Sequence, residues 1–442
     1  MFNTRKFLIP LLLLCGLVAT VSAENVLKTA RQSIKNSKDL DKTATTLIAE
    51  AQKAETKTAT KVKCYMMAAD CSRKLYEAEN TKLYLKQAYD TVKLFSNIAD
   101  MIDRIYIADS IECDGHQTPE SSNARHHRQL AQRIDHFRPN LLIGGRWAFS
   151  RGRHQEAYRY LDMYNSMASH PIFQHYTAIA ADTARVEVAY LATVSAHLIG
   201  NTEGVLRYAE LGQASSFPGA TIQEYAALAH LKQGDSTAWV QDLRKGLSRY
   251  SAHPYFFINY CDWLDDHGRY EESIALADSM IAVCDTVALY WYAKSLTLLQ
   301  MGRDREVIDV CDSCLLRDST HVEAYYNKGI ASLNLAMKYY EALDIAHDGA
   351  AQRRGREVVR SMYNLARQPM ERVRQLAPNE PQRWAPSLYR IYLNLNMGKE
   401  FEEIERILGE GQPAATPATT AAQDTKKEQP KDGKAKTGTK KK

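Results

Sequence analysis

Four glycines recur at one constant interval and constrain the fold of this chain more than any other feature. They are Gly200, Gly234, Gly268 and Gly302. A column of small residues keeps the same interval, at Thr193, Ala227, Cys261, Ser295 and Gly329. A mostly apolar column follows at the ninth position after each glycine, at Ala209, Leu243, Ala277 and Cys311. An earlier segment repeats this internal spacing but lies out of register with the other four, at Gly145, Gly152, Ala157 and Leu161. This glycine register, a repeat of about 34 residues, predicts a chain built by stacking one supersecondary motif.

Each column has a physical reason in a repeat made of two helices and a tight turn. Glycine tolerates the left-handed conformation that ends the first helix. A small residue in the second column lets the two helices approach closely. Apolar residues recur at helical spacing, as at Tyr270, Ile274, Ala277 and Ile281. One hairpin cannot bury its own apolar face, so neighbouring hairpins must stack.

This motif resembles the tetratricopeptide repeat (TPR) family. It is carried by the following segments: Tyr325-x-x-Lys328-Gly329, Gly152-Arg-His-Gln-Glu-Ala157, Gly268-Arg-Tyr-Glu-Glu-Ser273 and Leu376-Ala-Pro378-Asn379. The resemblance implies an all-α superhelix of helical hairpins over residues 138–408, clearest over 138–340 and weaker over 384–408. Residues 345–377 indicate an inserted, lengthened helix, and residues 24–137 an N-terminal helical region with degenerate repeats. We therefore predict an all-α fold, without strands, over about residues 24–408.

The N-terminal end has the pattern of a secretory signal peptide over residues 1–23. Arg5 and Lys6 precede an apolar stretch, and Val21-Ser22-Ala23 predicts cleavage after Ala23. About a dozen apolar residues are too few to span a bilayer as a helix, which needs roughly 20. A retained anchor or a lipoprotein attached at Cys15 is the weaker interpretation, because Leu14 is large for such a site. We expect an exported protein, periplasmic or associated with the cell envelope and soluble after cleavage.

The C-terminal end, residues 409–442, is rich in Ala, Thr, Pro and then lysine, and we expect it to be disordered. It carries eight lysines against four acidic residues, and Arg5 and Lys6 add two positive charges at the other end. Subtracting these +4 and +2 from the net charge of +5 leaves about −1 for residues 24–408. A near-neutral body argues against nucleic acid as a partner.

The candidate chemical groups have structural explanations. Cys311 and Cys314 form a Cys-x-x-Cys motif, but they fall at apolar positions of a second helix, which indicates core packing. The histidines His116, His126, His127 and His136 lack the spacing of a zinc site and are expected on the surface. Asp265, Asp266 and His267 lead into a turn, where solvation of a helix end explains them. We predict no catalytic residues, no cofactor and no metal.

A groove lined by the first helices is the predicted partner site. Its candidate residues are Arg146, Phe149, Tyr190, Asp262, Tyr292 and Tyr326. Tyr190, Tyr292 and Tyr326 occupy the same repeat position, and an apolar, tyrosine-rich surface suits an extended peptide or a helix. The resemblance does not bring with it the lysine and asparagine clamp of chaperone-binding TPR proteins, because those places hold other residues here. The alternative is that these side chains pack between neighbouring repeats.

Three functional hypotheses follow. The first is an exported scaffold or adaptor that binds proteins or peptides in the concave groove. The second is an envelope-anchoring structural protein whose basic tail makes weak electrostatic contact with anionic envelope components. The third is an enzyme of unrecognised type that uses the N-terminal helical region.

Overall fold

The computed structural model describes residues 23–113, 121–174, 176–179, 181–215, 217–344 and 349–410. Every regular element within these ranges is helical, as predicted. The predicted signal peptide up to Ser22 and the tail from residue 411 lie outside the described residues. The chain divides into two compact units, here called the N-terminal unit, which ends at Asp262, and the C-terminal unit, which begins at Trp263.

The N-terminal unit opens with five helices that lack the glycine register. They are α1 (residues 23–36), α2 (Leu40–Gln52), α3 (Thr58–Tyr84), α4 (Thr91–Glu112) and α5 (Ser121–Asp135). Helix α3 packs against both α2 and α4. The predicted helical character of residues 24–137 is therefore confirmed for the described part of that region.

Hairpins of shorter helices follow in the same unit. They are α6 (Arg138–Ser150), α7 (His154–Ser166), α8 (Ala184–Leu198), α9 (Thr202–Gly212), α10 (Gly219–Gln233), α11 (Ser236–Arg249) and α12 (Pro254–Asp266), which runs across the unit boundary. Between α7 and α8 the chain forms three 3-10 turns, at Met167–Ser169, Pro171–Phe173 and Thr177–Ile179. These turns account for the residues that put the first repeat out of register. Ile172, Phe173 and Ile179 bury their side chains, so this inter-helix loop is part of the core.

The C-terminal unit continues the hairpins. Its helices are α13 (Tyr270–Val283), α14 (Ala288–Gln300), α15 (Asp304–Arg317), α16 (Val322–Asp344), α17 (Gly349–Leu376), α18 (Pro381–Leu395) and α19 (Gly398–Glu410). The lengthened helix expected near 345–377 corresponds to α17, and α16 is lengthened with it. Helix α19 continues beyond residue 408, where the disordered tail was expected to begin.

The turn glycines adopt the conformation that the register predicts. Gly152, Gly200, Gly234, Gly268 and Gly302 all have positive φ, between 68° and 77°. The small column is buried throughout. At Gly329 a Cβ would lie 2.6 Å from the Cε of Met370, which shows how closely α16 and α17 approach. A further glycine, Gly246, escaped the sequence analysis, and a Cβ there would lie 2.2 Å from the buried ring of Phe256.

The first helices of successive hairpins touch one another within each unit. In the N-terminal unit α8 contacts both α6 and α10, and in the C-terminal unit α16 contacts both α14 and α18. Each unit therefore has a layer of first helices, and the candidate partner-binding residues lie on these layers. Among the described helices, none has the length and apolar character required to cross a membrane.

Candidate partner-binding surfaces

Arg146 and Glu187 join the first two helices of the layer in the N-terminal unit. The guanidinium of Arg146, on α6, donates two hydrogen bonds to the carboxylate of Glu187, on α8, with N–O distances of 2.9 and 2.6 Å. This is a bidentate pair, the strongest geometry available to these groups. Half of the Arg146 side chain is exposed, so the pair is reachable from solvent. An acidic group of a partner would have to compete with Glu187 for this arginine.

Two aromatic candidates lie close to this ion pair in the chain. Phe149 is half-buried, packs against the main hydrophobic core of the unit and meets the ring of His154 edge-on at 5.6 Å. Tyr190 stacks on Phe217 with ring centroids 4.7 Å apart and planes 20° apart. Phe217 is 43% exposed. Tyr190 and Phe217 together form a stacked aromatic pair that is packed against the protein on one side and exposed to solvent on the other.

The position of Tyr190 makes a similar contact in other repeats. Glu224, at this position of the next repeat, lies 3.5 Å from the Nε2 of His253. In the C-terminal unit the ring of Tyr292 lies 4.8 Å from that of His321, and the guanidinium of Arg383 lies over the ring of Tyr326 at 5.7 Å.

The partners of this position, Phe217, His253, His321 and Arg383, all come from the start of the next first helix or the residues just before it. The column is therefore an inter-repeat contact whose side chains remain partly exposed. Tyr190, Tyr292 and Tyr326 all have this intermediate exposure.

Asp262 is the last residue of the N-terminal unit and is exposed on α12. Ile258, one helical turn before it, has 39% of its surface exposed. The six predicted site residues are thus distributed over the two units, with Arg146, Phe149, Tyr190 and Asp262 in one and Tyr292 and Tyr326 in the other.

A ladder of polar contacts between successive repeats was missed by the sequence analysis. In the C-terminal unit the Nζ of Lys294 lies 2.6 Å from Asp278, and Lys328 forms the same ion pair with Asp312. The two lysines are separated by one interval of the glycine register, and so are the two aspartates. The equivalent places in the N-terminal unit hold Arg244 and Tyr260, whose side chains are hydrogen-bonded at 2.7 Å. These contacts could have been predicted from the sequence, because their polar residues recur in pairs at the interval of the glycine register.

Cys311 and Cys314 behave as core residues, as predicted. Cys311 and Cys314 are completely buried, and burial raises the pKa of their thiols to about 11 and about 12. Cys261 is buried within the small column. Thiols with such pKa values carry almost no thiolate at neutral pH, and the thiolate is the reactive form.

His127 and Asp265 correct the sequence analysis. His127 was expected on the surface, but it is buried and its Nε2 lies 2.9 Å from the Oδ1 of Asp109. A carboxylate partner on another helix offsets the cost of burying an imidazole. Asp265 was expected to be solvated at a helix end, but it is buried and accepts a hydrogen bond from the Oγ1 of Thr297 at 2.8 Å. Burial raises the pKa of its carboxyl group.

The other candidate residues that were named with His127 and Asp265 need no such correction. His136, Asp266 and His267 are exposed, as expected. His116 and the side chain of His126 lie outside the described residues.

The N-terminal helical region contains an open cavity of about 480 Å³ between α1 and α2. Its wall includes Asp39, Lys42, Thr43 and Thr46. The hydroxyl of Thr43 donates to the carbonyl of Asp39 at 2.8 Å, and that of Thr46 donates to the carbonyl of Lys42 at 2.9 Å. These hydroxyls are therefore already bonded to the backbone of α2, which is a structural role.

Comparisons with known proteins find similarity in architecture at low identity. No protein-family model and no curated protein sequence matches this chain. Among solved structures, the MamA protein is 14% identical, with 45% of this chain and 98% of that one covered and a TM-score of 0.33. The C-terminal part of a TPR repeat-containing protein from Cytophaga hutchinsonii is 11% identical, with coverage of 60% and 93% and a TM-score of 0.41. The TPR2AB domain of yeast Sti1, solved in complex with pHSP90, is 11% identical, with coverage of 61% and 99% and a TM-score of 0.21.

The architecture of the chain is better evidence for its repeat type than these comparisons are. Helical hairpins recur at the interval of the glycine register, each regular turn of the register is a left-handed glycine, and a small residue lies buried where the helices approach. The chain is therefore a helical-repeat protein of stacked helical hairpins, an architecture similar to that of TPR proteins.

Proposed function

We propose that this chain is an exported scaffold that binds extended segments of protein partners on its layers of first helices. The observation that carries the proposal is the repeated position of Tyr190, Tyr292 and Tyr326. Each of these rings is seated against a neighbouring repeat and keeps part of its surface exposed.

A ring held in this way is a favourable binding anchor. Its rotamer is already restricted by Phe217, His321 or Arg383, so little side-chain entropy is lost when a partner binds. Tyrosine also offers an apolar face and a hydroxyl that can remain hydrated. Anchors of this kind usually carry most of the binding energy of a protein interface.

Export is the second part of the proposal and rests on the sequence. The basic start, the apolar stretch and Val21-Ser22-Ala23 support cleavage after Ala23 and a location in the periplasm or cell envelope. Cell fractionation with N-terminal sequencing of the mature protein tests this directly. A mature protein that retains Met1 in the cytoplasm would contradict it.

Site-directed photo-crosslinking tests the location of the binding surface. A photoreactive aromatic residue placed at Tyr292 lies on a first helix, whereas the same residue placed at Leu316 lies on a second helix, where 83% of the side chain is exposed. The proposal predicts capture of a defined protein from envelope extracts at position 292 and not at 316. Equal capture at both positions would indicate adhesion to exposed apolar surface and would contradict the proposal.

The partner so identified permits a quantitative test. Tyr292→Ala and Tyr326→Ala should each weaken its binding by roughly 1–3 kcal/mol, the usual scale for central anchors. Circular dichroism of each variant separates lost binding from unfolding. Truncation after Glu410 keeps α19 complete and should leave affinity unchanged at physiological salt.

The same variants decide between the scaffold and the envelope anchor. If the tyrosine variants bind normally while truncation after Glu410 abolishes a salt-sensitive envelope association, the basic tail is the functional element. The enzyme hypothesis gains no support from the cavity between α1 and α2, because the hydroxyls of Thr43 and Thr46 are bonded to the helix backbone.

A further inference from the structure

Three metal-ligating side chains converge where α4 meets α5. Asp109 lies in the last turn of α4, Cys113 follows immediately after that helix, and His127 comes from α5. The His127 Nε2 lies 2.9 Å from the Asp109 Oδ1 and 3.8 Å from the Cys113 Sγ. One ligand atom from each residue lies within 4.8 Å of the other two.

Helix geometry explains how the sequence produces this arrangement. Asp109 and Cys113 are four residues apart, so their side chains lie on one face, one turn apart. His127 then approaches that face from a second helix. The histidines of this region lack the fixed local spacing of a zinc motif, whereas the ligands here come from two helices.

We propose that Asp109, Cys113 and His127 form a binding site for a zinc-class transition-metal ion. Thiolate, imidazole and carboxylate are the three protein ligand types that zinc accepts together in tetrahedral sites. With bond lengths of about 2.0–2.3 Å, the ligand atoms of such a site lie roughly 3.3–3.6 Å apart. The two separations that involve His127, 2.9 and 3.8 Å, bracket this range, and the third pair of ligand atoms lies within 4.8 Å.

Charge balance favours an ion in this location. A thiolate, a carboxylate and a neutral imidazole together carry two negative charges, which a divalent cation neutralises. The side chains of His127 and Asp109 are only 5% and 7% exposed, and a neutral assembly is far less costly to bury than isolated charges. Binding transfers the thiol proton of Cys113 to solvent as the S–metal bond forms, so affinity should rise with pH.

The extra loop between α7 and α8 packs against both helices that carry the cluster. His170 stacks on Tyr106 of α4 with ring centroids 3.8 Å apart, and the turn Pro171–Phe173 contacts α5. Cys113 is only partly buried, so an ion can reach the cluster from its side. Three protein ligands leave a fourth coordination position for water or for a group brought by a partner.

Cobalt titration of the purified, tag-free full chain tests the proposal. Co²⁺ should bind with one equivalent per chain and give visible bands of tetrahedral cobalt together with a thiolate-to-cobalt charge-transfer band in the near ultraviolet. Zn²⁺ should displace it and abolish both signals. A titration without the charge-transfer band would overturn the proposal.

Matched variants identify the ligands. Cys113→Ser keeps the size of the side chain and should remove the charge-transfer band and weaken binding by at least roughly tenfold. Cys284→Ser alters an exposed thiol far along the chain and should leave both unchanged. His127→Gln should also weaken binding, with circular dichroism as its folding control. If that variant unfolds, the comparison of Cys113→Ser with Cys284→Ser decides alone. A band that survives Cys113→Ser would overturn the proposal and leave Asp109 and His127 as a buried ion pair only.

Discussion

The regular repeats and the N-terminal helices α1–α5 are both built from packed helices, but their turns differ. The four turns of the glycine register, and the earlier out-of-register turn at Gly152, place glycine at positive φ. Among the described residues of the N-terminal helices and their turns, those with positive φ are Ser37, Asp39 and Lys86, with φ between 51° and 54°. A left-handed turn residue that is not glycine cannot be recognised from its residue type. The repeat register could therefore be followed in the regular repeats and was lost in the N-terminal helices.

Their long-range contacts differ in the same way. In the C-terminal unit Lys294–Asp278 and Lys328–Asp312 repeat one ion pair in the glycine register. In the N-terminal helices Arg133 pairs with Asp70, and Arg104 donates to the carbonyl of Ala68 at 2.9 Å. Among the described residues these contacts have no counterpart at the repeat interval. A repeat can therefore be recognised in an amino-acid sequence only while its turns and its contacts are both periodic.

The largest expected effect is the loss of stability on truncating a buried core side chain, and this loss should be equal in the two regions. Leu243→Ala in α11 and Ile102→Ala in α4 both truncate a fully buried side chain. Each should reduce the free energy of unfolding by about 2–5 kcal/mol, through lost burial and a residual cavity. Urea denaturation followed by circular dichroism measures both. A cost below about 1 kcal/mol for Ile102→Ala alone would mean that the irregular helices are held far more loosely than the repeats.

A smaller effect is expected at the buried cysteines of the regular repeats. Cys311→Ala and Cys314→Ala should each cost about 1 kcal/mol, because each leaves only a small cavity. Partner binding should be retained at moderate temperature. In a thiol-reactivity assay on the native protein, the exposed Cys284 should react well before Cys311 and Cys314, whose pKa values burial raises. Lost binding with unchanged stability would assign these two thiols a functional role.

The smallest effects on stability are expected for two turn substitutions, one in each region, and these effects should have opposite signs. Gly234→Ala adds a Cβ that meets no atom within 4 Å, so its cost of about 1 kcal/mol comes from the left-handed backbone alone. Lys86→Gly relieves the same strain at the end of α3 but increases unfolded-state entropy, so it should stabilise by at most about 0.5 kcal/mol. Thermal unfolding of both variants checks the signs. Destabilisation by Lys86→Gly would show that this turn depends on its lysine side chain and not on backbone freedom.

Much of the fold could be predicted, but less of the candidate surface. Turn conformation and close helix approach are local requirements, and Gly200, Gly234 and the small column satisfy them directly. The pairing of Tyr190 with Phe217 or of Tyr326 with Arg383 depends on how far one repeat rotates against the next. That rotation results from the packing of whole helices, and no single residue in the sequence encodes it.

The amino-acid sequence was enough to predict the class of fold, the repeat length, the turn positions and the burial of Cys311 and Cys314, because each follows from backbone sterics or helical periodicity. Which polar groups are buried depends instead on tertiary contacts. His127 lies beside Asp109 and Cys113, and Asp265 beside Thr297, because the packing of separate helices brings their partners within reach. A polar side chain enters the core only where another element satisfies it, and that partner becomes visible only in the folded chain.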